Sequence, residues 1–172
     1  MPLLNLDKFT IKYELIPAER LASMVEADQT KDLSAQLRDN GYLLLRSVYN
    51  PADVQAARDE ILKRLAEVGE VAEPISDAIS TGTSDRRLHY PNTKSLGKFW
   101  KSVSEGSALR RVINGPEITG VMEKIFGEKV IHFSFAWLRA MQAGKASPVH
   151  IDHPYMNRGT KNLLTCWCPI GP

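Results

Sequence analysis

Apolar positions in this chain recur with the period of a helix over its first part and with the period of a strand near its end. Residues 1–16 alternate apolar and charged groups weakly, as an arm or a short strand would. Pro17 opens a helical pattern through Leu21, Met24 and Val25. A second helix is predicted from Lys31 to Asp39, with Thr30 as N-cap, Leu33 and Leu37 on one face, and Asn40-Gly41 as its stop. Tyr42-Leu43-Leu44-Leu45-Arg46-Ser47-Val48 then reads as a buried strand. Asn50-Pro51-Ala52-Asp53 combines a capping side chain, a proline at the first helical position and an early acid. Val54, Ala57, Ile61, Leu62 and Leu65 carry helical spacing on to Val68, where Gly69 ends it.

Residues 70–97 change character. Ser, Thr, Gly, Asp and Pro dominate, with apolar islands only at Ile75–Ile79 and Leu88–Tyr90. The stretch reads as a long loop, which in a compact domain is often a lid or a binding element and otherwise a solvated connection. Short helices are predicted between Leu96 and Val112, packing through Phe99, Trp100, Val103, Leu109 and Val112. Another starts at Gly115-Pro116-Glu117 and ends at Gly127. The period then switches to two. Ile131, Phe133, Phe135 and Trp137 alternate with His132, Ser134, Ala136 and Leu138, a strand with one strongly apolar face. A turn at Ala143-Gly144-Lys145 and a last strand from Asn162 to Cys168 complete the pattern. About three consecutive strands cannot close a sandwich or barrel. The sheet they begin is therefore expected to find its partners outside these residues.

Composition narrows the class. The chain has 172 residues, 43% apolar and 24% charged, enough for a packed fold. A net charge of +2, with no basic run beyond Arg86-Arg87 or Arg110-Arg111, argues against a nucleic-acid or anionic-membrane partner. No window approaches about 18 consecutive apolar residues, and no secretory signal pattern opens the chain. Cys166 and Cys168 sit two apart on one strand face, a poor geometry for a mutual bridge. Small buried apolar residues in a reducing, cytoplasmic setting are the simplest account of both.

The candidate chemistry lies in Ser147-Pro148-Val149-His150-Ile151-Asp152-His153-Pro154-Tyr155. In an extended segment residues two apart project from one face, so His150 and Asp152 converge while Ile151 turns away. One imidazole and one carboxylate are two of the three ligands of the 2-His-1-carboxylate triad of non-haem Fe(II) oxygenases. No histidine follows His153. A third ligand is accordingly expected beyond Pro172.

Three blocks, in order and spacing, resemble the phytanoyl-CoA dioxygenase family of Fe(II)/2-oxoglutarate oxygenases. They are Leu37-Arg38-Asp39-Asn40-Gly41-Tyr42-Leu43-Leu44-Leu45-Arg46-Ser47-Val48-Tyr49 with the helix after it, Leu138-Arg139-Ala140-Met141 with Gly144 and the His150/Asp152 pair, and Leu163-Leu164-Thr165-Cys166-Trp167-Cys168-Pro169-Ile170-Gly171. The resemblance spans roughly residues 30–172. It implies an α+β fold in which N-terminal helices pack on a double-stranded β-helix, or jelly-roll, core, here incomplete because the chain stops before the sheet closes. It further implies Fe(II) held by His150 and Asp152, 2-oxoglutarate as co-substrate, O2, and hydroxylation of a small-molecule substrate. Three protein ligands leave room for a chelating 2-oxo acid and O2. By the family pattern Trp167 lines the co-substrate pocket, with Thr165 on the same strand face. Leu138 or Trp137 is a further wall. Related halogenating enzymes carry a small residue in place of the carboxylate, so Asp152 favours hydroxylation.

Other readings stay open. Trp167 is equally a core residue, Thr165 a plain strand former and Tyr155 either a substrate contact or a surface tyrosine. His153 faces away from Asp152 and reads as a neighbour rather than a ligand. His89 and His132 read as structural, with His89 a distant pocket candidate. Arg86, Arg87 and Lys94 in the 70–97 stretch could meet an anionic substrate or simply solvent. The expectation is an N-terminal portion of a longer enzyme, 1–172 forming part of a single domain and inactive alone. The alternative is a non-catalytic small-molecule-binding domain of the same fold. A zinc site from His150, Asp152 and His153 is disfavoured because adjacent strand residues face opposite sides. An unrelated α/β fold lacks a glycine-rich phosphate loop to support it.

Overall fold

In the computed structural model of the chain, residues 24–89, 97–139, 152, 154–156 and 158–171 are described. The arm over 1–16, the opening of the helix at Pro17, Lys94, the turn at 143–145, His150 and His153 lie outside them. Contacts gather the chain into two compact units, one formed by Met1–Arg46 with Ala146–Trp167 and the other by Ser47–Lys145 with Cys168–Pro172.

In the first unit, α1 (Leu33–Asn40) starts at Asp32, whose carboxylate accepts from Ser34 N at 2.8 Å and Ala35 N at 3.1 Å. The cap is thus Asp32 and not Thr30, because the helix starts at Leu33 and Asp32 immediately precedes it; the Thr30 hydroxyl donates to Asp28 at 2.6 Å in the turn before. Gly41 ends the helix at φ 76, a left-handed conformation that glycine adopts without penalty, and its N–H closes on Leu37 O. The helical pattern through Met24 and Val25 is not realised in the described residues. Those positions are extended, with Glu26 forming a single parallel bridge to Leu44. Ala27 N donates to Leu44 O at 2.9 Å, and the Tyr42 hydroxyl accepts from Val25 N at 3.1 Å. Tyr42–Val48 is therefore held beside 25–29 by one bridge rather than built into a ladder. Tyr42 through Leu45 are only half-buried.

The second unit is helical. Helix α2 (Pro51–Ala66) opens as its sequence predicts, the Asn50 side chain accepting from Ala52 N at 2.9 Å. After it come a 3-10 turn (Ile75–Asp77), a short α3 (Arg86–His89), α4 (Gly97–Ser104), α5 (Ser107–Ile113) and α6 (Pro116–Phe126). The main packing is α2 on α5. Their shared core joins Ala57, Ile61, Leu65 and Val68 to Phe99, Val103, Leu109 and Val112, with Leu138 and Ile170 partly buried against it. Burying each larger member contributes about 1.5–3 kcal/mol. Helix α5 has Gly106 as its cap and no capping side chain of its own. Glu60 of α2 supplies one, accepting from Leu109 N at 3.0 Å, with a negative charge at the positive end of the helix. A side chain on Gly106 would collide with that carboxylate.

Among the described residues no segment is paired into a strand ladder. The expected strands over Ile131–Leu138 and Asn162–Cys168 form no ladder among the described residues. Alternation defines two faces, whereas a strand also needs a neighbour to accept its backbone bonds. The 131–138 segment is instead tied down by side chains. Arg110 donates to Ser134 O at 2.6 Å, and His132 Nε2 lies 2.8 Å from Thr119 Oγ1. The Thr119 hydroxyl already gives its one proton to Gly115 O, so His132 is the donor. The intended inner face stays open: Ile131 is 97% exposed, and Phe133, Phe135 and Trp137 are exposed too.

Residues 70–89 are more ordered than the composition of the 70–97 stretch suggests. Asp85 N donates to Val68 O, Thr81 N to Glu70 O and Ala72 N to Ile79 O, so the chain leaves α2 and returns to the same place. A single antiparallel bridge, Val71 to Ser80, lies within this excursion.

Candidate functional site

Asp152 is the described member of the proposed ligand pair. Its backbone carbonyl accepts from Tyr155 N at 2.9 Å and Met156 N at 3.2 Å, so the residue opens a tight turn and its backbone is fixed. Its carboxylate is fixed as well: the Thr165 hydroxyl donates to Oδ2 at 2.8 Å across thirteen residues of chain. Asp152 is half-buried and Thr165 exposed. The structure thus brings together two of the residues singled out from the sequence, in one unit.

The others are distributed differently. Trp167, next but one to Thr165, is 84% exposed, which removes ordinary core packing as its explanation. Tyr155 is likewise exposed. Leu138, in the second unit, is half-buried against the helical core there. With Trp137 it lines a shallow groove of about 280 Å³ beside Trp100, Lys101, Ser104 and Arg139. His132 is engaged with Thr119, as a structural histidine would be. His89 closes the short α3 on the surface. His150 and His153 lie outside the described residues, among which no three His, Cys, Asp or Glu side chains cluster as a metal site.

Arg86 departs from its expected role. As a lid cation it would face solvent or an anionic substrate. Instead its guanidinium pairs with Glu70, both side chains only 14% exposed. It also stacks 4.4 Å from the Trp100 ring centroid and 4.9 Å from that of Phe99. Ser84 donates to the same Glu70 carboxylate at 2.6 Å. No local spacing rule announces a pair sixteen residues apart. Arg87 remains exposed.

Two carboxyl groups elsewhere are held well below their ordinary range. Glu117 falls from 4.5 to about 2, chiefly through its hydrogen bonds with the Arg111 guanidinium. Asp28 falls from 3.8 to about 2, first through the Thr30 hydroxyl and then Lys31. Both serve helix ends and turns and not the Asp152 neighbourhood. Cys166 is exposed, and Cys168 is half-buried with its sulfur 2.8 Å from the Tyr49 hydroxyl.

For metal chemistry the Asp152 environment is suitable. A carboxylate is a hard oxygen donor that Fe(II) accepts beside imidazole. Ligating carboxylates are themselves hydrogen-bonded by neighbours that fix their orientation, and Thr165 does this here. The two oxygens offer about four lone-pair directions, so a hydroxyl on Oδ2 leaves the group able to ligate. No helix among the described residues is long and apolar enough to cross a membrane. The family model for phytanoyl-CoA dioxygenase (PhyH) matches residues 37–171, well over half of the chain. No curated protein and no solved structure matches.

Proposed function

The chain belongs to the phytanoyl-CoA dioxygenase family, and from that premise we propose that it is an Fe(II)/2-oxoglutarate-dependent dioxygenase hydroxylating a small molecule. The observation that carries the reading is the oriented Asp152 carboxylate, fixed by its own turn and by Thr165. In this reading His150 and Asp152 hold the metal, two residues apart in sequence. When bound, the ferrous ion with its 2-oxo acid supplies O2 activation and the oxidising equivalents for C–H hydroxylation. The chain's own part is to bind and orient. Asp152 contributes the anionic ligand, and His150 the neutral one. Trp167 offers an exposed aromatic face to the co-substrate. Leu138 enters as a wall of the co-substrate pocket on the family pattern alone. A reducing, cytoplasmic setting for Cys166 and Cys168 belongs to the same proposal.

Anaerobic addition of 2-oxoglutarate to the Fe(II)-loaded protein tests this. The visible charge-transfer absorption of a ferrous ion chelated by a 2-oxo acid is expected, and Asp152→Ala and His150→Ala should each abolish it. An unchanged absorption in Asp152→Ala would overturn Asp152 as a ligand, and no absorption from the parent protein would favour a non-catalytic binding domain of the same fold.

A further inference from the structure

We infer that Thr165 is a positioning residue for the metal-binding carboxylate, and not a contact to the co-substrate. The inference rests on the proposed role of Asp152 as a ligand. Asp152 has its backbone set by the bonds from Tyr155 N and Met156 N, which leaves two side-chain torsions to be fixed before the carboxylate points in one direction. The Thr165 hydroxyl fixes them from Oδ2 at 2.8 Å, within the usual range for a hydroxyl donor.

The choice of threonine matters physically. A β-branched side chain is stiff at its first torsion, so little rotamer freedom is lost when the hydroxyl is held in place. Serine in its place could make the same bond from a less restricted side chain. Valine has nearly the same shape and no donor. The hydroxyl is also committed. Its single proton goes to Asp152, so it can only accept from any further partner. A co-substrate carboxylate or ketone oxygen needs a donor, and Thr165 has none left to give. That is why the hydroxyl belongs to the carboxylate rather than to 2-oxoglutarate. Losing a group that orients a metal ligand typically weakens metal binding by about 10–100-fold. Because Thr165 is exposed and water can partly replace it, the lower end, about ten-fold, applies here.

The test is a Co(II) titration of the full 172-residue chain, followed by the visible absorption of the bound ion, with no turnover required. Thr165→Val should weaken apparent Co(II) affinity by about ten-fold, while Thr165→Ser stays within about three-fold of the parent. Far-UV circular dichroism of each variant checks that the fold is kept. If Thr165→Val binds Co(II) like the parent while Asp152→Ala does not, Thr165 is not the positioning residue and the proposed function stands. If Thr165→Ser fails as badly as Thr165→Val, shape and not the hydroxyl is responsible, and the inference falls. If the parent and Asp152→Ala behave identically, the ligand role of Asp152 falls, and this inference falls with it.

Discussion

Replacing Arg86 by Ala should destabilise the protein by about 3 kcal/mol, because Arg86 braces the helical core instead of reaching for a substrate. The guanidinium and the Glu70 carboxylate are each 14% exposed, so the pair is largely out of water. Removing one partner of a buried pair costs about 3–5 kcal/mol, since the other charge stays behind uncompensated. Glu70 keeps the Ser84 hydroxyl and some solvent, which reduces that to about 2 kcal/mol. Loss of stacking on Trp100 and Phe99, at 4.4 and 4.9 Å, adds about 0.5–1 kcal/mol. For a chain of this size urea unfolding has a slope of about 2 kcal/mol per molar, so the midpoint should fall by about 1.5 M. Arg86→Met combined with Glu70→Gln removes both charges at similar volume and should recover most of the loss. Arg87→Ala, at an exposed position, is the control and should change stability by less than about 0.5 kcal/mol. The reasoning is refuted if Arg86→Ala is as mild as the control, or if the paired change costs the sum of the single ones.

Gly106→Ala should push the Glu60 carboxylate off Leu109 N and cost about 1 kcal/mol, the usual worth of a helix cap. Thermal unfolding of Gly106→Ala, Glu60→Gln and their combination checks this, and fully additive losses would show that the two residues are not coupled. The Glu117 carboxyl predicts an acid limb. Its folded value, about 2, lies below its ordinary 4.5, so its contribution is fully present above pH 4.5 and is lost as pH falls toward 2. Arg111→Gln should therefore flatten the loss of melting temperature across that window, and parallel curves for variant and parent would count against the pairing.

What was legible in the sequence is what neighbours in the chain decide. Asn50-Pro51 starts α2, and Gly41 and Gly127 stop α1 and α6, because capping depends on residues within one turn. Phe99, Val103, Leu109 and Val112 fell on helical faces and are buried. What failed depends on distant partners. Alternation over Ile131–Leu138 defines an apolar face without providing the strand to pair with, and in the described residues that face is open. The shift of the α1 cap from Thr30 to Asp32 follows the helix start, which lies at Leu33 and not at Lys31. Arg86 looked like a loop cation because Glu70 and the Phe99–Trp100 pair lie far away in sequence. The candidate site divides in the same manner. The spacing of His150 and Asp152 could be read directly, whereas the bond from Thr165 to Asp152, thirteen positions on, could not.

Helix α5 has only seven residues, too few to hold together in water by themselves. Its first turn leans on a carboxylate borrowed from α2, and its apolar side rests on the same neighbour. Fraying of α5 in isolation would strand the Glu60 charge and expose Leu109 and Val112 together, so the two helices should open to solvent as one event. Backbone amides of 107–113 would then exchange with deuterium at the pace set by α2, slowly, in spite of the shortness of α5.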